Sequence, residues 1–190
     1  MKITEYSEVG FNKEQTKEEE GSLGEILFRL AEKDKGQLFA ILDSARSDEV
    51  LAKLALNEVE YESLFRGREE EPLFRVAPFL VLCKKESKLF EWLTKEAWGQ
   101  SIGIFFTSSD SLKNLFTHFQ KFLMVQEEGG EELYFRFYDP RVLRVYLPTC
   151  TVQEMDLFFG KVSRFAMESE DKKSIVTYAK GSGEQSIRRL

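Results

Sequence analysis

Gln37-Leu38-Phe39-Ala40-Ile41-Leu42 is a run without a charge, bounded by Gly36 on one side and by Asp43 and Ser44 on the other. A short apolar stretch between such residues reads as a buried strand rather than a helix. Upstream, Leu23, Ile26, Leu27 and Leu30 recur at helical spacing and give one apolar face that ends near Gly36. Downstream, Asp43 and Ser44 can cap a helix whose face is Val50, Leu51, Leu54 and Ala55. The alternation continues with a second strand at Pro78–Leu82, and then a helix that Ser87 caps, that carries Leu89, Phe90, Leu93 and Trp98, and that Gly99 stops. Ile102–Phe106 is a third strand, and Ser109–Phe119 a helix with Leu112, Leu115, Phe116 and Phe119 on one side.

Beyond Phe119 the pattern changes. Phe122–Gln126 and Leu133–Tyr138 flank acids around Gly129-Gly130, a hairpin signal. Asp139-Pro140 and Thr151 each open a short helix, and Val162–Met167 with Ser174–Tyr178 forms a last hairpin. The expected fold is α/β (mixed α+β), one mixed sheet of about five to seven strands with covering helices. The single domain spans residues 21–179, behind a loosely held charged arm over 1–20 and ahead of a disordered tail over 180–190.

A chain of 190 residues fits one domain and needs no disulfide or metal to fold. Its formal net charge of −6, with Lys and Arg interleaved among acids, argues against a nucleic-acid surface. The only basic cluster is Arg188 and Arg189 in the tail. Cys83 and Cys150 lie among apolar residues and read as reduced, buried thiols. Met1–Gly10 has neither the basic nor the apolar region of a secretory signal, and no apolar run approaches the ~20 residues that span a bilayer. A cytoplasmic location is expected. Seventeen Phe residues imply a Phe-rich core, a Phe-rich binding face, or both.

Signs of catalysis are sparse. His118 is the only histidine, placed in an amphipathic helix without a second ligand at helical spacing, which suits a structural role better than a metal site. Gly99-Gln100-Ser101-Ile102-Gly103 has the spacing of a serine-nucleophile elbow, but a helix precedes it and a strand follows, the reverse of the order an elbow needs. Asp43 at a strand end could be a helix cap or an active-site acid. No cofactor and no metal are expected, and a non-enzymatic protein is the reading that follows.

The most informative stretch is Leu133–Thr151, LYFRFYDPRVLRVYLPTCT. Arg136 shares a strand face with Tyr134 and Tyr138, while Asp139 can cap the helix that Pro140 begins and accept from an arginine. Arg141 and Arg144 fall three apart on one helical side. Tyr and Arg at such a junction have the composition of a protein-interaction hot spot. A fold-stabilising junction held by an Arg–Asp pair accounts for the same residues equally well.

Phe135-Arg136-Phe137-Tyr138-Asp139-Pro140-Arg141-Val142 followed by Leu147-Pro148 resembles the signature of the type VI secretion effector chaperones, the Tap or TEC adaptor family. Leu38–Arg46, Tyr61–Gly67, Ala77–Val81 and Trp98–Phe105 are similar to other segments of that family, in order, from about Leu38 to Phe165. The resemblance implies a bacterial, cytoplasmic adaptor that holds a toxic effector and helps load it onto the spike protein VgrG. The binding residues expected on such a platform are Arg136, Tyr138, Asp139 and Arg141, together with Trp98. Many members carry a further C-terminal lobe that helps select cargo; this chain ends soon after the shared region, which fits a minimal adaptor or a piece of a longer one. An immunity-like toxin-binding protein is the next reading, and a hydrolase using Asp43 a third.

Overall fold

The computed structural model describes residues 12–18, 21–56, 58–65, 72–126, 130–181 and 184–189, of which 12–18, 72–73 and 184–189 are described by backbone alone. The acidic run 69–71 and the tip residues 127–129, like the first eleven residues of the arm, lie outside them.

The run that opens the sequence reading is a central strand. After β1 (Asn12–Glu18) and α1 (Leu23–Lys33), β2 (Gln37–Asp43) is buried at every residue but the first. Its side chains alternate between two cores, Leu38, Ala40 and Leu42 on one face and Phe39 and Ile41 on the other. The need to cover both faces with apolar residues explains the unbroken apolar run. Antiparallel neighbours flank it, β4 (Pro78–Leu82) on one side and β5 (Gly103–Ser108) on the other. With β3 (Tyr61–Ser63), β8 (Val162–Glu168), β9 (Ser174–Ala179) and β10 (Glu184–Arg189), the main sheet has the order β1-β10-β9-β8-β5-β2-β4-β3. The pair β1–β10 is parallel and the other pairs are antiparallel. A second sheet is the hairpin β6 (Met124–Gln126) and β7 (Glu132–Tyr134).

Helices cover both faces, as the mixed α+β reading expects. α1, α2 (Glu49–Leu54) and α3 (Lys88–Lys95) pack on the first core, and α4 (Leu112–Phe119), α5 (Pro140–Tyr146) and α6 (Val152–Phe159) on the second. The abundant Phe residues mostly belong to this second core: Phe39, Phe106, Phe119, Phe137, Phe158, Phe159 and Phe165 are all at most 1% exposed. Many meet edge to face, as at Phe106–Phe119 and Phe159–Phe165, the favourable geometry for aromatic quadrupoles. On the other side of the sheet's middle, Arg164 of β8 donates from Nε and Nη to the Asp34 carboxylate that ends α1, which also accepts from Thr107 Oγ1 at 2.7 Å. This nearly buried pair ties α1 to two strands.

Four expectations differ from the structure. The tail over 180–190 is not disordered where it is described: a turn at Gly181 (φ +74°) precedes β10, which pairs with β9. The charged arm likewise supplies β1 over Asn12–Glu18. Both strands are held through backbone hydrogen bonds, so a polar composition gives little warning of them. The second hairpin arm stops at Tyr134 rather than Tyr138, because Phe137 and Tyr138 turn into the second core. α3 ends at Lys95, leaving Trp98 in the turn beyond it.

Gly160 ends α6 at φ +52°, where an added Cβ would lie 2.5 Å from Cε1 of His118. Gly160→Ala is therefore expected to cost about 1–3 kcal/mol, read as a lowered midpoint of urea unfolding; an unchanged midpoint contradicts this packing.

Candidate protein-interaction surface

The site is built on two buried aspartates. Asp43 ends β2 and is 1% exposed. Its Oδ1 accepts from the Ala45 amide at 3.1 Å, capping the 3-10 turn Ser44–Arg46, and its Oδ2 pairs with Arg136 Nη2. The cap anticipated at Asp43 is thus present, on a short turn rather than on α2. Asp139, 2% exposed, caps α5: Oδ1 accepts from the Arg141 amide at 2.9 Å, and Pro140 takes the first helical position. The Arg141 guanidinium returns to the same carboxylate, Nε to Oδ1 at 2.9 Å and Nη2 to Oδ2 at 2.5 Å, a bidentate pair.

Each arginine is pinned on its inner edge and open on its outer one, with side chains 44% exposed at Arg136 and 52% at Arg141. Arg136 lies over the Tyr138 ring, 5.9 Å from its centroid. Tyr138 itself is buried in the second core, so it supports Arg136 from below instead of offering its own surface. Burial, and then the Asp43 carboxylate, push its phenol up to about 12. Burial alone would raise Asp139, but the Arg141 hydrogen bonds and charge outweigh it and hold the carboxyl below the ordinary aspartate range.

The structure brings Arg136, Tyr138, Asp139 and Arg141 together, and adds Asp43. Trp98 is not among them: it packs on the first core and stacks on Phe105 with centroids 6.5 Å apart, across the sheet from the arginine pair. Sequence reasoning missed the contact between Arg136 and Asp43, 93 residues apart, because no local spacing encodes it. It also missed Glu168, a buried carboxylate that accepts from the Gly99 amide at 2.7 Å and from Ser101 Oγ at 2.8 Å. That bond engages the hydroxyl of the elbow-like segment, and Ser101 sits in a turn at φ +56°. His118 Nε2 donates to the Phe158 carbonyl at 2.8 Å, between Phe119 and Phe122, and burial lowers its pKa. Cys83 and Cys150 are free and buried, and no group of metal-ligating side chains occurs among the described residues. Nor is any helix there long and apolar enough to cross a membrane.

A family model described as "Domain of unknown function (DUF4123)" matches residues 38–157, which take in β2 through most of α6 and with them both aspartate–arginine pairs. The chain belongs to the DUF4123 family. No curated protein and no solved structure matches it. The matched span of this DUF4123 chain starts one residue into the central strand, so the region the family shares is the region that builds the site.

Two predictions follow from this geometry. Arg136→Ala leaves the buried Asp43 charge with one donor fewer and is expected to cost about 1–3 kcal/mol. Adding Asp43→Asn should recover part of that loss, because the amide still accepts from Ala45; a double variant less stable than Arg136→Ala contradicts the pairing. Asp139, with its folded pKa below its unfolded value, contributes stability above the unfolded value of about 3.9 that is lost as pH falls through the folded one. The destabilisation caused by Arg141→Ala should therefore be largest near neutral pH and shrink below about pH 4, measured as urea midpoints across that range. A pH-independent effect contradicts it.

Proposed function

We propose that this chain is a non-enzymatic adaptor of type VI secretion, which binds an effector protein and helps load it onto the VgrG spike in the bacterial cytoplasm. Membership of the DUF4123 family and the resemblance of residues 38–165 to the effector chaperones support the reading. The observation that carries it is the pair of half-exposed guanidiniums held over buried carboxylates. An arginine whose inner edge is fixed loses little conformational freedom when its outer edge meets a partner, and its remaining donors point in set directions. The two readings of the Leu133–Thr151 stretch are compatible: Asp139 holds the junction while Arg136 and Arg141 keep exposed outer edges. Asp43, the acid of the hydrolase alternative, has both carboxylate oxygens engaged.

The test is pairwise co-purification of the full chain with the VgrG protein and the candidate effector encoded beside a type VI cluster. Wild-type chain is expected to capture both. Arg136→Ala with Arg141→Ala should weaken capture roughly tenfold or more while circular dichroism shows the fold retained. Stoichiometric neutralisation of a toxin without any contact to VgrG replaces the adaptor reading with the immunity reading.

A further inference from the structure

An open groove of about 810 Å³ is lined by Arg141, by Arg46, Arg144, Val145 and Pro148, and by residues 168–172 at the end of β8 and in the turn to β9. Its size lies within the roughly 300–1,000 Å³ of ordinary ligand sites. The groove holds both signs of charge, but the two are engaged differently.

Its acids are mostly occupied from within. Glu168 is 4% exposed and accepts from the Gly99 and Ser101 amides and from Ser101 Oγ. Asp171 accepts from the hydroxyls of Ser169 and Ser174 and from the Lys173 amide. Glu170 and Lys172, of opposite sign, lie on the same turn. Arg141 is paired with Asp139, whereas Arg46 and Arg144 are oriented without being neutralised. Arg46 Nη2 donates to the Gln100 carbonyl at 3.2 Å and Arg144 Nη1 to the Glu168 carbonyl at 2.6 Å. Both acceptors are uncharged, and among the described residues neither arginine forms an ion pair. A guanidinium carries five N–H donors, so most of those on each remain for a ligand. Beside them Val145 is 70% exposed, the largest exposure among the chain's exposed large hydrophobic side chains that are described.

We infer that this groove docks an acidic segment of a protein partner, its Asp or Glu carboxylate taken by Arg46 and Arg144 and a neighbouring aliphatic side chain resting on Val145. Planar guanidiniums match carboxylates in geometry as well as charge. The exposed valine distinguishes such a segment from a bare anion, which has nothing to place on it. The inference rests on the adaptor reading for its partner, and it assigns the partner's chemistry.

Short overlapping synthetic peptides covering the VgrG and effector sequences, fluorescently labelled and titrated with the full chain, test it by anisotropy. Peptides that carry Asp or Glu next to an aliphatic residue are expected to bind, and to weaken with added salt. Arg46→Glu should reduce that binding roughly tenfold or more, as should replacing the peptide carboxylate by its amide. Arg46 makes one hydrogen bond from an exposed position, so the variant keeps its fold; Arg144→Gln, checked by its melting temperature, is the second variant. Equal binding by wild type and both variants overturns the inference. So does binding that the amide peptides retain and inorganic phosphate abolishes, which marks a general anion site. If the chain captures VgrG and effector yet no acidic peptide binds, the groove assignment falls and the adaptor reading stands; capture of neither removes both.

Discussion

A carboxylate buried at the end of the central strand has to be given donors, and the arrangement of the site follows from how this chain supplies them. β2 is enclosed on both faces, so Asp43 leaves the core only far enough to reach the Ala45 amide and Arg136. A buried charge without such partners is strongly unfavourable. Meeting that requirement brings the segment after β7 to the end of the sheet and sets where α5 begins. The same device recurs one step on, where Asp139 both caps α5 and holds Arg141. Two buried acids thereby fix two arginines whose outer edges stay exposed.

The second core gives this platform its stiffness. Phe137 and Tyr138 enter it directly after Arg136, and Phe119 stacks on Phe137 with centroids 5.5 Å apart. Closely packed aromatic side chains have few alternative arrangements, so the backbone that carries the arginine pair is anchored on both sides of each guanidinium. His118 fits the same account. Its ring fills the space beside Gly160 and donates to the Phe158 carbonyl, a packing role.

What was legible in the sequence is what local pattern controls. The strand at Pro78–Leu82 has the expected bounds, because an apolar run between turn residues is a local signal. The caps at Ser87 and Asp139 stand where the residue types placed them, since a cap needs only a side-chain oxygen near the first free amides. The terminal strands β1 and β10 were hidden, since strand pairing uses the backbone and tolerates a polar composition. Trp98 shows the limit for sites: an aromatic residue near a turn serves a core as readily as a surface, and only the parity of Phe105 on its strand places it on the far face. Arg136 finding Asp43 is a long-range choice made by burial, and nothing near either residue announces it.

Hydrogen–deuterium exchange of the full chain, alone and in complex with its VgrG or effector partner, tests most directly the claim that the arginine pair faces a partner. Added protection over Arg136–Tyr146 is expected in the complex, with α1 and α3, which cover the other face of the sheet, unchanged. A complex in which that segment exchanges as it does in the free chain, with protection elsewhere, would contradict it.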